Sequence, residues 1–205
     1  MSNQDISSID KNLAVPASIS DVELSMYSVR QKPFSIYGCY RPLEMGCFMR
    51  IPDEITSPIG ESFVTLGHCS AGGRVRFSTN SRYIAIRATY DHIYPMSHMP
   101  LTGGAGFDLY MDDPKTGISR YIKSFVPPHD LRERGEYESV VRFNEGKHRH
   151  FTIHFPGYSS VKDLWVGVAP GATLGEGVPY RDMPPIVFYG SSITQSGCAS
   201  RPGNS

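Results

Sequence analysis

RVRFSTNSRYIAIRATY, residues 74–90, decides the fold class, because its apolar side chains recur at every second position. Val75 and Phe77 alternate with polar residues, and after a short polar turn Ile84 and Ile86 repeat the pattern. Side chains at positions i and i+2 share one face of a β-strand. The stretch therefore predicts two strands joined as a hairpin, each with one apolar and one polar face.

The same period continues through most of the chain. GFDLYMDD, residues 106–113, alternates in the same way, and the Asp, Pro and Gly that follow predict a second hairpin with residues 121–126. Further strands are predicted at 137–143, 151–155 and 164–168, each bounded by turn-forming residues. No helical period extends over a comparable length, so the chain is predicted to be all-β, a two-sheet sandwich of the jelly-roll kind.

The alternation also predicts the core of this sandwich. Its members are the apolar residues on the inward faces of the predicted strands: Val75, Phe77, Ile84, Ile86, Phe107, Leu109, Phe151, Ile153, Phe155, Leu164 and Val166.

Charge and composition exclude several classes of function. The 205 residues carry 20 Lys plus Arg and 20 Asp plus Glu, with no run of like charge, so a nucleic-acid partner is not expected. No apolar stretch is long enough to span a bilayer, and the first residues lack the pattern of a secretory signal, so no membrane partner and a cytoplasmic location are expected. The four cysteines are irregularly spaced, which favours free thiols.

The pattern changes near the end of the chain. Residues 169–180 are rich in Gly and Pro and are typical of a linker, and IVFY, residues 186–189, is continuously apolar, which predicts a buried parallel strand of a separate α/β domain. GSSITQSG, residues 190–197, follows at once. A serine on a sharp turn between a strand and a helix has an exposed hydroxyl beside a free backbone N–H, the arrangement that acyl transfer requires. Ser192 is therefore the candidate nucleophile.

Two stretches resemble a known protein family. VFYGSSITQSGCASRPG, residues 187–203, resembles the first block of the SGNH, or GDSL-type, serine hydrolases, and GFDLY, residues 106–110, resembles the signature of the GxDLY β-sandwich domain that precedes such esterase domains. RFSTNSRYIAI at 76–86 and FTIHFPGYSSVKDLWVGV at 151–168 are also similar to that domain.

The resemblance implies that the chain is divided into three parts. These are expected to be an N-terminal arm at 1–20, a GxDLY-type sandwich at 21–178, and a linker with the start of an incomplete SGNH hydrolase domain at 179–205. That last part would supply the first strand and nucleophile elbow of a flavodoxin-like α/β domain.

The resemblance implies a serine esterase mechanism. Ser192 would attack an ester carbonyl, and its backbone N–H would form part of the oxyanion hole. Gly190, Ser191, Ile193 and Thr194 complete the motif. The family takes its base from a histidine in a late Asp-x-x-His block, and its other oxyanion donors are a glycine and an asparagine from later blocks.

None of these later blocks occurs here, since all seven histidines precede the serine. The 205-residue chain alone is therefore expected to be inactive, and the parent protein is expected to deacylate an ester or transfer its acyl group. Its expected partners are a small-molecule or carbohydrate ester and the rest of the hydrolase domain, with no cofactor.

A second function class stays open, a carbohydrate-binding or interaction module. Trp165, the only tryptophan, is out of phase with its apolar neighbours and is predicted to lie on an outer strand face, where it could stack on a sugar or pack against the hydrolase domain. His148, His150 and His154 share one strand face, which could bind zinc but is interpreted as a solvated face, so no metal is predicted.

Four polar or reactive residues receive structural interpretations. Asp108 and Tyr110 are expected to fix the next loop rather than to touch a ligand. Arg201 is expected to tie down local backbone or a nearby carboxylate, and Cys198 to be an inert packed thiol.

Overall fold

Residues 19–94, 96–184 and 186–204 are described by the computed structural model, so the predicted N-terminal arm lies almost entirely outside the described residues. The strands are β1 (Ser25–Ser28), β2 (Ser35–Tyr37), β3 (Arg74–Thr79), β4 (Tyr83–Ile93), β5 (Phe107–Asp112), β6 (Ser119–Phe125), β7 (Glu136–Arg142), β8 (Arg149–His154), β9 (Ser159–Val168) and β10 (Leu174–Glu176). The helices are α1 (Asp53–Thr56), α2 (Glu61–His68), α3 (Leu101–Ala105) and α4 (Leu131–Arg134), with 3-10 turns at Ile19–Asp21 and Pro202–Asn204.

The strands form two antiparallel sheets. Sheet A has four strands in the order β1-β9-β4-β7. Sheet B has six, in the order β10-β3-β8-β5-β6, with β2 pairing beside β3. The inward faces of the two sheets enclose one hydrophobic core, which confirms the predicted all-β sandwich.

The predicted core is confirmed in full. All eleven predicted residues belong to the buried cluster, which further strands and loops complete with Phe48, Phe125 and Tyr137. Aromatic rings pack closely within it; the ring centroids of Phe107 and Phe155 are 5.3 Å apart. Burying side chains of this size stabilises the fold by about 1.5–3 kcal/mol each.

The first predicted hairpin is wrong, and the second is confirmed. β3 and β4 follow each other in sequence but lie in different sheets, because β3 pairs with β8 and β4 pairs with β7 and β9. The turn between them is held by Ser81, whose hydroxyl donates to the Tyr83 carbonyl and accepts the N–H of Ala169 at 2.9 Å. The chain thus crosses between the sheets and keeps both apolar faces on one core. β5 and β6 do pair as a hairpin, with a bulge between Leu109 and Tyr110.

The helices were not predicted. α1 and α2 are four and eight residues long, too short for an apolar period to stand out in the sequence. Ile55 on α1, Ile59 in the turn between the helices and Phe63 on α2 are exposed. Across the described ranges, no helix has the length and apolar character needed to cross a membrane.

The outer face of sheet B is covered, although its alternating polar residues suggested a solvated surface. Arg76 is buried beside Asp112, with Nη2 and Oδ2 3.0 Å apart, and its Nε donates to Thr152 Oγ1 at 3.1 Å. The ring of Tyr180 lies 4.3 Å from the Arg76 guanidinium, so the linker after β10 packs over this network. A buried charge is tolerated because it is paired and hydrogen-bonded.

Residues 186–189 do not form the predicted parallel strand in the described structure. Their side chains are 81–100% exposed, and no ladder hydrogen bonds pair them. A parallel strand needs a neighbouring strand to pair with, and parallel sheets are covered on both faces. The described residues around this stretch offer neither, so its apolar side chains face solvent.

Candidate active site

Ser192 lies on an exposed turn whose backbone is fixed to the sandwich. Its carbonyl oxygen accepts the N–H of Gly197 at 2.6 Å and the hydroxyl of Tyr158 at 3.0 Å. A Cβ on Gly197 would lie 2.7 Å from the same oxygen, so only glycine fits there without displacing the turn. In the described part of the chain, the recorded hydrogen bonds of Ser192 involve this carbonyl, and its exposed side chain is left for a ligand.

The rest of the motif forms a series of turns rather than the start of a helix. The Ser191 carbonyl accepts the N–H of Gln195 at 3.3 Å, and that of Ile193 accepts the N–H of Ser196 at 3.0 Å. Gly190 lies against Thr194, whose Oγ1 would be 2.2 Å from a Cβ at position 190. The structure thus brings the motif residues together around Ser192. Its roles as nucleophile and oxyanion donor stay predictions.

The segment after Ser192 docks on one end of the sandwich. Ser196 has a positive φ of 79° and is only 2% exposed, and Gln195 Nε2 donates to the Gly157 carbonyl at 3.3 Å. A Cβ on Gly103 of α3 would lie 2.0 Å from the Ala199 carbonyl, so the two backbones touch directly. Gly103 and Gly157 therefore let this segment approach the sandwich more closely than residues with side chains would allow.

Asp108 and Arg201 form the next contact along the chain. Asp108 Oδ2 accepts Arg201 Nη1 at 3.0 Å and the backbone N–H of Gly203 at 2.8 Å. Its Oδ1 accepts the Ser124 hydroxyl at 2.6 Å, and the Tyr110 hydroxyl donates to the Gly203 carbonyl at 3.1 Å. Asp108 and Tyr110 therefore have a structural role, but they fix residues 201–203 rather than the predicted next loop. The contact of Arg201 with Asp108 confirms the carboxylate-tying interpretation of Arg201.

A protein-family model described as "GxDLY: N-terminus of Esterase_SGNH_hydro-type" matches residues 24–174. The chain belongs to this family. The match covers the sandwich and ends before Ser192.

Solved structures carry the same fold. A protein of Bacteroides ovatus described as a GDSL-like lipase superposes with a TM-score of 0.72 at 24% identity, over 88% of this chain and 51% of that chain. A salicylyl-acyltransferase from a tetracycline biosynthetic pathway superposes with a TM-score of 0.57 at 17% identity, over 77% of this chain and 42% of that chain. This chain thus spans about half the length of these structures. No curated protein matches it.

The residues of the family signature GFDLY, 106–110, have different structural roles. Gly106 follows α3 so closely that a Cβ there would lie 2.5 Å from the Thr102 carbonyl. Phe107 and Leu109 are fully buried in the core. Asp108 and Tyr110 point the other way, toward the segment that follows Ser192.

Of the three histidines that were predicted to form a solvated face, His148 is exposed and His154 is not solvated as predicted. His154 is partly buried against Tyr110, with ring centroids 4.8 Å apart, and desolvation, assisted by Arg74, lowers its pKa to about 4. His148 and His150 lie nearer the surface, with rings 5.4 Å apart and perpendicular. Among the described residues, no three His, Cys, Asp or Glu side chains are grouped so as to hold a metal ion.

One histidine pairs with a carboxylate in the manner of a catalytic base, but it lies elsewhere. Partly buried His68 has its Nε2 2.6 Å from Asp53 Oδ1, in the pair of helices that sequence periodicity missed. Within the described ranges, no hydrogen bond joins a histidine to Ser192.

Trp165 and Cys198 complete the list of predicted residues. Trp165 is partly exposed on the outer face of sheet A, as predicted, with the Arg87 guanidinium 5.9 Å from its ring. It lies on the opposite sheet from the docked segment, which gives no support to packing against the hydrolase domain. Cys198 is exposed, so the packed-thiol prediction is wrong; all four cysteines are free. Burial raises the pKa of Cys39 to about 12 and that of Cys69 to about 11.

Proposed function

We propose that this chain is the N-terminal portion of an SGNH-type serine esterase or acyltransferase that forms an acyl-enzyme on Ser192. The supporting observation is that Ser192 is exposed on a turn that the sandwich contacts at two places. Tyr158 binds the carbonyl of Ser192, and Asp108 binds Arg201 and Gly203 beyond the turn. The substrate class is a small-molecule or carbohydrate ester.

The chemistry follows from the placement of the hydroxyl. Ser192 Oγ bonds to the ester carbonyl carbon while its proton passes to a base, and the backbone N–H of Ser192 holds the oxygen that becomes negative. The bond to the alkoxy oxygen then breaks, and the alcohol leaves with the proton. Water or a second alcohol takes the acyl group from the serine and restores the hydroxyl.

The base is not provided by the described histidines, which make no contact with Ser192. A serine hydroxyl without a base is a poor nucleophile, and loss of the base lowers the rate by several orders of magnitude. The 205-residue chain is therefore proposed to be inactive alone. A chain extended through an Asp-x-x-His block is proposed to be active.

Hydrolysis of a chromogenic acetate ester by both lengths of chain tests this proposal. We expect turnover only in the extended chain and its loss in Ser192→Ala. Ser62→Ala is the matched control, since that exposed serine lies on α2, outside the motif around Ser192, and should keep the activity. Robust turnover by the 205-residue chain, or full activity of Ser192→Ala, would overturn the proposal.

A carbohydrate-binding function is the second candidate, because Trp165 lies partly exposed in a shallow depression lined also by Asp163, Glu136 and Lys162. Partly exposed aromatic rings beside polar groups can stack on sugars. Titration of the 205-residue chain with oligosaccharides, followed by tryptophan fluorescence, decides it: saturable quenching supports binding, and a flat titration removes this candidate.

A further inference from the structure

Two side chains of the family signature leave the sandwich core. Asp108 and Tyr110 alternate with buried Phe107 and Leu109 along β5, so they face the outer side of sheet B. Their partners there are residues 201–203, which follow the Ser192 turn in sequence. The signature therefore joins the sandwich to the beginning of the predicted hydrolase domain.

Asp108 makes the stronger of the two connections. The residue is 0% exposed, and its carboxylate accepts hydrogen bonds from Ser124, Arg201 and the backbone of Gly203. A buried carboxylate is costly unless its partners are in place, so loss of residues 201–203 from this position would leave an uncompensated charge. Residues 201–203 therefore complete the hydrogen bonding of the Asp108 carboxylate.

Tyr110 fixes the same backbone from the side. Its hydroxyl donates to the Gly203 carbonyl at 3.1 Å and accepts Arg201 Nη1 at 2.5 Å. A Cβ on Gly203 would lie 2.3 Å from this hydroxyl, so the glycine backbone rests directly on the tyrosine. The Arg201 guanidinium also stacks 4.0 Å from the ring centroid of Tyr121. We call Asp108, Tyr110, Arg201 and Gly203 the signature latch.

We propose that Asp108 and Tyr110 are positioning residues for Ser192, acting through the signature latch. The Ser192 turn is anchored at its start by Tyr158 and at its far end by the latch, with Ser196 buried between them. Fixing both ends restricts where the serine hydroxyl can lie, and a displacement of about 1 Å can cost 10²-fold in rate. This inference rests on the proposed function for its catalytic consequence, but not for the latch itself.

The same strand provides a matched control. Asp112 lies four residues further along β5 on the same face and is also buried against an arginine, Arg76, at 3.0 Å. Its hydrogen-bond partners are Arg76, Thr152 and Ser119, all within the sandwich. Asp112→Asn thus removes a comparable buried charge without touching the latch.

The first test uses hydrogen exchange in the 205-residue chain. Asp108→Asn keeps the side-chain shape but removes the charge that pairs with Arg201. We expect the amides of residues 196–201 and 203 to exchange roughly tenfold or more faster than in the wild type, with β8 unchanged. Asp112→Asn should leave 196–203 unchanged. Equal protection of 196–203 in Asp108→Asn and the wild type would overturn the latch.

The second test measures ester hydrolysis by the extended chain. Asp108→Asn should lower kcat roughly tenfold or more with little change in KM, whereas Asp112→Asn should keep kcat at a comparable melting temperature. A kcat in Asp108→Asn equal to that in Asp112→Asn would overturn the positioning role. If the extended wild type has no activity, the proposed function fails, and the exchange experiment still decides whether the latch exists.

Discussion

His154 illustrates at the residue scale how burial on the outer face of sheet B changes the chemistry of a side chain. Burial against Tyr110 disfavours the charged ring and lowers its pKa to about 4, with Arg74 and Arg201 adding to the effect and Asp108 and Asp112 opposing it. The unfolded chain holds this proton up to about pH 6.5.

Between these two pKa values the unfolded state binds more protons, so the free energy of unfolding falls as the pH drops from about 6.5 toward 4. His154→Gln should remove this part of the pH dependence. Urea unfolding at pH 7 and pH 5 measures it, with His148→Gln at the surface as the control. An unchanged pH dependence in His154→Gln would contradict the described burial.

Single residues were predictable where their role is local. The core residues were predicted correctly from their alternation, whereas Ser192 as the nucleophile stays a prediction from the motif around it. The contact between Asp108 and Arg201 joins positions 93 apart, and the sequence contains nothing local that pairs them. The sequence predicted a loop-fixing role for Asp108 and a carboxylate or local backbone as the partner of Arg201, but not that the two residues meet.

At the scale of elements, α3 is the platform on which the segment after Ser192 rests. A Cβ on Gly103 would meet the Ala199 carbonyl at 2.0 Å, whereas one on Gly104 would have nothing within 4 Å. Gly103→Ala should therefore undock residues 199–200 and raise their amide exchange. Gly104→Ala should leave that exchange unchanged, and equal effects of the two substitutions would show that α3 is not the platform.

Elements were predicted well where pairing is between sequence neighbours and poorly where it is not. The β5–β6 hairpin was found because its turn chemistry closes the two strands directly. β3 and β4 carry equally good alternation, but alternation does not say which sheet a strand joins. The apolar run at 186–189 has the sequence pattern of a strand, but it forms no strand among the described residues because no neighbouring strand pairs with it.

For the whole molecule, the two sheets share one core, so a cavity there should destabilise both together. Phe77 is 0% exposed between the sheets, and Phe77→Ala should lower the free energy of unfolding by about 3–5 kcal/mol. Phe63 on α2 is 52% exposed, and Phe63→Ala should change the free energy of unfolding by about 0.5 kcal/mol or less. Denaturant unfolding measures both; similar losses would contradict a single shared core.

In the proposed function, the sandwich holds the Ser192 turn in place, and the turn supplies the nucleophile. The central claim is that Ser192 becomes acylated. Reaction of the extended chain with a fluorophosphonate, followed by peptide mass mapping, tests this most directly. We predict a single adduct on Ser192 that is absent from Ser192→Ala; an adduct on another residue, with Ser192 unmodified, would contradict the account.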